Sequence, residues 1–174
     1  MLFRSRIVRR ADGADVWRFG PVEVPNVALN AIAGRPKEEY GVEPQSLEEI
    51  RPGCYLVDER IKDMDACGML ASMNFPSFPG FAARLFAVDD VEFGLSLVRA
   101  YNDWHIDEWC GSHPGRFIPM ALPVIWDAEL CAAEVRRVAE KGCHSLTFTE
   151  NPAALGYPSF HDEFWDPLWT ALCD

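Results

Sequence analysis

The sequence lacks an apolar run long enough to cross a membrane. The longest, at residues 117–126, is interrupted by Pro119 and Pro123, whereas a transmembrane helix needs roughly 20 apolar residues. The first ten residues contain four arginines and no apolar core of the kind that a signal peptide has. The sequence therefore favours a cytoplasmic protein without a membrane partner.

Basic side chains are also scarce. The chain carries 16 Lys and Arg against 27 Asp and Glu, which gives a formal net charge of −11. Nucleic acids and anionic membranes attract surfaces rich in Lys and Arg. We therefore expect neither nucleic acid nor a membrane as a partner.

The cysteines and histidines lack the spacings of local metal sites. None of the six cysteines stands in a CxxC pair, and none of the four histidines stands in HxH, HxxxH or HExxH. Without a secretion signal, reduced thiols are expected. A structural or surface role is expected for every histidine, which are His105, His113, His144 and His161.

Common catalytic motifs are missing as well. No GxGxxG follows a predicted strand and no serine stands in GxSxG. Cys143 and His144 are neighbours, but adjacent residues of a strand point to opposite faces and cannot form a catalytic pair. The sequence by itself leaves the catalytic residues unknown.

The chain does contain enough apolar material for one globular domain: it has 174 residues, of which 49% are hydrophobic. We divide it into three parts. Residues 1–5 are interpreted as a remnant of cloning or sequence assembly, because MLFRS matches one reading frame of a common sequencing adapter and four of the first ten residues are arginines. Residues 6–55 are predicted to form a hairpin and a lid-like insert. Residues 56–174 carry the regular pattern.

The part at residues 6–55 is rich in turns. Asp12-Gly13 stands between the apolar pairs Ile7-Val8 and Val16-Trp17, which predicts a β-hairpin over residues 6–19. Residues 20–53 show many Pro and Gly and little periodicity. Long irregular segments of this kind are usually functional loops or lids.

The part at residues 56–174 alternates helices and strands. Buried strands are predicted at residues 69–75, 117–126 and 143–149. Helices are predicted to begin near Tyr55, at the caps Asp89-Asp90 and Asp127, and near Phe164. The first is predicted to end at Gly68, and the second to stop before Gly111. This alternation predicts parallel strands, in a doubly wound sheet or in a (β/α) barrel. A barrel needs eight strands, so about three core βα units would make it a partial TIM barrel.

Candidate binding residues follow these strands, because parallel α/β folds place their sites at the carboxyl ends of the strands. We expect the substrate to contact Asn74, Phe75, Trp126, Thr149, Glu150 and Asn151. A purely structural interpretation of Glu150-Asn151-Pro152 as a turn remains open. An aromatic loop could also wall an apolar pocket; its residues are Phe75, Phe78, Phe81 and Phe86.

Four short stretches, at residues 63–68, 74–78, 115–119 and 141–146, resemble the amidohydrolase-related family in their order and spacing. The similarity is to the branch near aminocarboxymuconate-semialdehyde decarboxylase, and it extends from about residue 55 to the end of the sequence. The preceding segment resembles the long insert between the first strand and first helix of some bacterial members.

The resemblance implies a distorted TIM barrel that holds one divalent metal ion, commonly zinc, and that hydrolyses or decarboxylates a small carboxylated or cyclic substrate. It also implies where the metal ligands belong. The His-x-His of the family would precede residue 1, and its next histidine would follow Asp174. We therefore expect no metal in this chain, which would be an inactive fragment of a metal-dependent parent enzyme.

Two alternatives to the fragment hypothesis stay open. The chain could be a complete small α/β module for binding or interaction, or a barrel enzyme without a metal that uses Glu150 as a base. The fragment hypothesis predicts uncovered strand edges and self-association through them. The near absence of charge at residues 69–75 and 143–149 favours that hypothesis.

Overall fold

The structure is a computed structural model that describes residues 6–19, 21–26, 32–43, 45–77 and 79–174. Residues 1–5, interpreted above as a remnant, and Phe78 of the aromatic loop lie outside the described residues. The chain divides into two compact units, Met1–Gly68 and Met69–Asp174.

The first unit contains an antiparallel three-stranded sheet of β1 (Arg6–Arg9), β2 (Asp15–Phe19) and β3 (Val22–Pro25). The predicted hairpin is confirmed, because β1 pairs antiparallel with β2. Gly13 has φ +87° in the connecting turn, a backbone conformation that glycine adopts without a steric cost. The third strand was not predicted, because its two alternating valines are too few to stand out from the surrounding turns.

Asp15 is the centre of the contacts that hold this sheet. Its carboxylate is almost completely buried and accepts two hydrogen bonds from Arg9, at 2.8 and 2.9 Å, and a third from the Leu47 backbone N–H at 2.7 Å. The bonds from Arg9 and then from Leu47 lower the pKa of Asp15 to about 2. One carboxylate therefore joins the sheet to the turn that follows it.

The remainder of the first unit is mostly short turns, as its composition predicts. Single 3₁₀ turns span Lys37–Glu39, Leu47–Glu49 and Pro52–Cys54. Helix α1 (Val57–Ala66) follows, and the chain leaves it through Gly68, at φ +67°, where the sequence predicts the end.

The described residues of the second unit form three α-helices: α2 (Val91–Asp103), α3 (Ala128–Glu140) and α4 (Asp166–Cys173). The predicted N-caps are confirmed for two of them. Asp90 accepts a hydrogen bond from the Phe93 N–H at 3.0 Å, and Asp127 accepts one from the Leu130 N–H at 2.9 Å. The helix after Asp90 was predicted to continue to Gly111. Its last part instead forms a π-helix at Trp104–Cys110.

The strands of this unit are parallel, as predicted, but short. Strand β4 (Ser72–Met73) pairs in parallel with β5 (Phe117–Ile118), and a further parallel bridge joins Ala121 to Leu146. Pro119 and Pro123 cannot donate to a ladder, which explains why the predicted strand at residues 117–126 is reduced to two short pairings. Apart from Ile118, Pro119 and Trp126 its residues are nonetheless buried.

The prediction that residues 69–75 form a strand buried on both faces is wrong. Leu70 is 83% exposed and Phe75 61% exposed. The register pairs Met73 with Ile118, and both side chains are among the exposed apolar residues, whereas the neighbouring Phe117 is buried. Side chains alternate between the faces of a sheet, so helices cover only one face of the β4–β5 pair.

The core of the second unit packs the helices against the strand segments. Most of its buried side chains form one contiguous cluster, which consists of Ala82, Ala83, Phe86, Val98, Leu122, Val124, Ile125, Ala128, Cys131, Ala132, Val135, Trp165, Leu168 and Ala171. A second, smaller cluster consists of Ile106, Ala121, Val138 and Cys143. The burial of apolar side chains is the main source of stability in a small domain.

A buried polar network crosses this core. The Asn102 side chain of α2 donates to the Leu122 carbonyl at 3.2 Å and accepts from the Leu122 N–H at 2.7 Å, as a neighbouring strand would. Asn102 also donates to the buried carboxylate of Glu134 at 2.9 Å, and Arg137 donates to both oxygens of that carboxylate. The network therefore satisfies backbone groups of Leu122 that the short strands leave without a ladder partner.

None of the described helices is long and apolar enough to span a lipid bilayer.

Candidate functional site

Asn74 and Phe75, the first two candidate residues, point in different directions. The Asn74 Oδ1 accepts a hydrogen bond from the Trp109 indole N–H at 3.4 Å, and the Trp109 ring contacts buried Phe117. Asn74 therefore faces the helix-covered side of the strands. Phe75 instead places its ring against Phe81, with centroids 5.4 Å apart and an interplanar angle of 80°.

Thr147 fixes the loop that carries Phe81. Its Oγ1 donates to the Phe81 carbonyl at 2.6 Å and lies 3.3 Å from the Ala121 carbonyl, and the residue is 3% exposed. The third strand segment of the second unit, residues 143–149, which pairs only through Leu146 among the described residues, is thereby connected to the loop that follows β4. Of the predicted aromatic loop, Phe75 and Phe81 are exposed and in contact, whereas Phe86 lies in the core.

Trp126 lies partly buried at the end of its strand segment, against α2. A Cβ at Gly94 of this helix would stand 3.1 Å from Trp126 Cζ2 and 2.5 Å from the Phe86 carbonyl oxygen, so only glycine fits there. The indole Nε1 of Trp126 is buried and has no hydrogen-bond partner among the described residues. Its contacts are those of a packing residue with one unsatisfied donor.

The last three candidate residues form a local turn. They are Thr149, Glu150 and Asn151, at the end of the strand predicted for residues 143–149. Thr149 Oγ1 accepts a hydrogen bond from the Asn151 N–H at 3.2 Å, and Asn151 Oδ1 accepts one from the Ala154 N–H at 3.2 Å. Asn151 therefore caps the 3₁₀ turn Pro152–Leu155, which is the structural interpretation left open above. Glu150 between them is exposed, and its carboxylate is accessible for binding.

The histidines are dispersed. His105 is buried in the π-helix, stacks on Tyr101, and lies with Nε2 3.6 Å from Cys110 Sγ. Burial lowers the pKa of His105 and raises the pKa of the Cys110 thiol to about 11, so both groups stay uncharged at neutral pH. His144 and His161 are exposed.

Among the described residues, no three His, Cys, Asp or Glu side chains are grouped so that they could hold a metal ion. The residues that the structure describes therefore do not fit the divalent metal that the resemblance implies. No catalytic step through a metal is assigned to them.

Two residues of the site were not selected from the sequence. Thr147 was not selected, because a hydroxyl that binds a distant carbonyl leaves no local signal in the sequence. Ala83 is the only non-glycine residue with positive φ among the described residues, at φ +50° and ψ 31°. Nothing in an Ala-Ala-Arg sequence indicates this strained backbone.

A profile of a family described as Amidohydrolase matches residues 47–174. No curated protein matches the chain. Among solved structures, the chain is similar to an amidohydrolase from Mycobacterium avium subsp. paratuberculosis K-10, with a TM-score of 0.60 and 19% sequence identity. The match covers 98% of this chain and 49% of the length of that one.

Proposed function

Because the chain belongs to the amidohydrolase family, we propose that it forms part of a metal-dependent enzyme that hydrolyses or non-oxidatively decarboxylates a small carboxylated or cyclic substrate. Its fold in the enzyme would be a partial TIM barrel. The observation that carries the proposal is the parallel pairing of β4 with β5 and of Ala121 with Leu146. Parallel strands bring their carboxyl ends, and the residues after them, to one edge.

The proposed role of this chain is to bind the substrate. Phe75, Trp126, Thr149 and Glu150 follow the strand segments at that edge, and Glu150 is the exposed charged group among them. An exposed carboxylate can orient a polar substrate by accepting its hydrogen bonds. Asn74 and Asn151 contribute indirectly, because their side chains hold Trp109 and the turn after residue 151.

Zinc or another divalent metal is the proposed cofactor of the whole enzyme. Members of the family are generally metal-dependent, but the described residues of this chain do not provide a ligand group. We therefore expect the 174-residue chain by itself to show no turnover and no tight zinc binding. Stoichiometric zinc in the purified chain, together with turnover of a carboxylated substrate, would contradict this part of the proposal.

The cytoplasm is the proposed compartment. All six cysteines are free, and three of them are buried: Cys110, Cys131 and Cys143. Reduced cysteines that serve as packing residues are typical of proteins from reducing compartments.

Self-association through strand edges is proposed for the isolated chain. Among the described residues, strand β4 pairs with β5 alone, and Leu70, Met73 and Ile118 expose apolar surface beside it. Sedimentation velocity over a concentration series tests this. We expect oligomers that Ile118→Lys reduces, with the exposed Val42→Lys of the first unit as a matched control. A monodisperse monomer at all concentrations would rule the proposal out.

The experiment that tests the enzyme itself is to sequence the DNA on both sides of the reading frame and to express the longest open frame. We expect a His-x-His pair upstream, a histidine at a strand end downstream, and turnover that a chelator abolishes. Loss of turnover in a Glu150→Gln variant would support the binding role of this carboxylate. Start and stop codons that bound the 174 residues would instead favour a complete binding module.

A further inference from the structure

We propose that Trp104 and Glu108 form a binding site for a small organic cation that carries an alkylated ammonium group. Both residues belong to the π-helix Trp104–Cys110 and have no part in the proposed function, so the inference goes beyond that function and does not rest on it. It depends on three observations: the register of the π-helix, the exposure of one ring, and an exposed carboxylate that no cation of the chain neutralises.

The first observation is that the π-helix brings two indole rings together. Residues five apart in an α-helix lie about 140° apart around the helix axis. Here the backbone bonds join residues five apart, as in the bond from the Gly111 N–H to the Ile106 carbonyl at 2.9 Å. The rings of Trp104 and Trp109 are in contact, with centroids 5.9 Å apart. π-Helical turns are rare and frequently occur at functional sites.

The second observation is that Trp104 is both accessible and held in place. It is 43% exposed, whereas Tyr101 and Trp109, which contact it, are half-buried. Tyr101 also stacks on the buried ring of His105, with centroids 5.9 Å apart. Trp109 donates to Asn74 at 3.4 Å. The two neighbouring rings are therefore fixed, and they support a Trp104 ring whose remaining surface faces the solvent.

The third observation is the charge that accompanies this ring. One turn of a π-helix contains roughly four to five residues, so Glu108 follows Trp104 by one turn, and it is exposed. Lys141 binds two other carboxylates of the same helical segment, Asp103 and Asp107. Glu108 pairs with no Lys or Arg within the described part of the chain. Its carboxylate is therefore available to a positively charged ligand.

The ring and the carboxylate select the same kind of ligand. The face of an indole attracts a cation through the quadrupole of the ring, and Trp is the most effective aromatic side chain in this respect. A carboxylate adds Coulomb attraction. Quaternary ammonium groups are the ligands that proteins characteristically recognise with aromatic side chains. A neutral molecule of the same shape gains only the burial of apolar surface, so the charge of the ligand should decide its affinity.

The test compares choline with 3,3-dimethylbutan-1-ol, a molecule of the same shape in which carbon replaces the nitrogen and the charge is absent. Ligand-observed NMR titrations of the purified 174-residue chain give the Kd of each. We expect choline to bind more tightly than the neutral analogue. Trp104→Leu should weaken choline binding about twofold to fivefold, the range of one exposed cation–π contact, and leave the binding of the neutral analogue nearly unchanged.

Matched variants make the result specific. Trp104→Phe keeps a ring and should retain more choline binding than Trp104→Leu. Glu108→Gln and Glu92→Gln each remove one exposed carboxylate from the continuous helix formed by α2 and the π-helix, but Glu92 stands twelve residues before Trp104. Glu108→Gln should weaken choline binding about twofold at low salt, and Glu92→Gln should leave it nearly unchanged. Circular dichroism melts verify that the variants fold, which is expected since all three side chains are exposed.

Equal affinity of the wild type for choline and its neutral analogue would overturn the inference, because apolar burial alone would then account for the binding. The absence of choline binding, or unchanged binding in Trp104→Leu, would overturn it as well. Equal losses in Glu108→Gln and Glu92→Gln would also overturn it, since the net charge of the chain would then attract choline without a defined site. These outcomes leave the proposed function standing, because that is tested by the turnover and chelator sensitivity of the longer open frame.

Discussion

The two units of the chain are stabilised by different kinds of contact. In the first, the described sheet and turns are joined by side-chain ion pairs such as Arg9–Asp15 and Arg51–Asp63, whose arginines are nearly half exposed. In the second, the described helices and strand segments are held by a contiguous apolar cluster and by a buried polar network. Exposed ion pairs contribute little and depend on salt and pH, whereas burial contributes most of the stability. The first unit should therefore be the more sensitive to solution conditions.

The strongest way to test this difference is to remove a side chain at the centre of the apolar cluster. Trp165 is completely buried, contacts Phe148 and Phe164, and donates from Nε1 to the Pro158 carbonyl at 3.0 Å. Trp165→Ala should destabilise the second unit by about 3–5 kcal/mol. Hydrogen exchange measured by mass spectrometry should show faster exchange throughout residues 69–174.

The control is Trp104→Ala, which removes a tryptophan that is 43% exposed in the same unit. It should leave the exchange of the core helices nearly unchanged. Equal effects of the two variants would mean that burial does not distinguish these positions.

A smaller effect is expected from the buried network. Asn102→Ala leaves the N–H and carbonyl of Leu122 unsatisfied, and it removes a donor to Glu134. The expected loss of unfolding free energy is about 2–3 kcal/mol, measured by urea denaturation. Asn151→Ala, which removes an exposed cap, should cost only about 1 kcal/mol; an equal loss in both variants would argue against the importance of the network.

In the first unit, Asp15→Asn should cost about 1 kcal/mol, because it removes the charge that Arg9 and Leu47 bind. The effect should depend on pH. The pKa of Asp15 is lowered from 3.8 to about 2, so its contribution is present above pH 3.8 and is lost as the pH falls through 2. The amide resonance of Leu47 should titrate with a midpoint near 2 in the wild type. A midpoint near 4 would show that the ion pair is not formed.

The smallest effect should come from adding a contact that the first unit lacks. Helix α1 begins after Leu56, whose backbone is extended, and no side chain caps it, in contrast to α2 and α3. Leu56→Ser should stabilise α1 by at most about 1 kcal/mol. Slower amide exchange in α1 checks this, and Asp127→Ala should produce the opposite change in α3.

Most of the helices could be predicted from the sequence, since their signals lie within a few residues. Asp90 and Asp127 precede apolar residues at helical spacing, and both act as caps. The strands were predicted in order and orientation but not in length. Their pairing depends on residues more than forty positions apart, as in Met73 with Ile118, and the prolines between them shorten the ladders.

The sequence could locate the candidate site only at the edge of the sheet where the parallel strands end, and not in its individual contacts. The rule that ligands bind at the carboxyl ends of parallel strands selected Asn74 and Phe75 together, but it cannot tell which residue a neighbouring helix covers. Trp109, thirty-five residues later, binds Asn74. Thr147, which fixes Phe81 from sixty-six residues away, was not selected for the same reason.

Local chemistry was thus enough to establish the caps, the turn at Gly13, the α/β alternation and the scarcity of basic surface, because each depends on composition or on neighbours within one helical turn. Packing between distant segments decided the rest. It placed helices on one face of β4 and β5 and left Phe75 and Ile118 exposed on the other. It also placed the side chain of Asn102 against the backbone of Leu122. A buried backbone group needs a hydrogen-bond partner, and only the fold decides which distant segment supplies it.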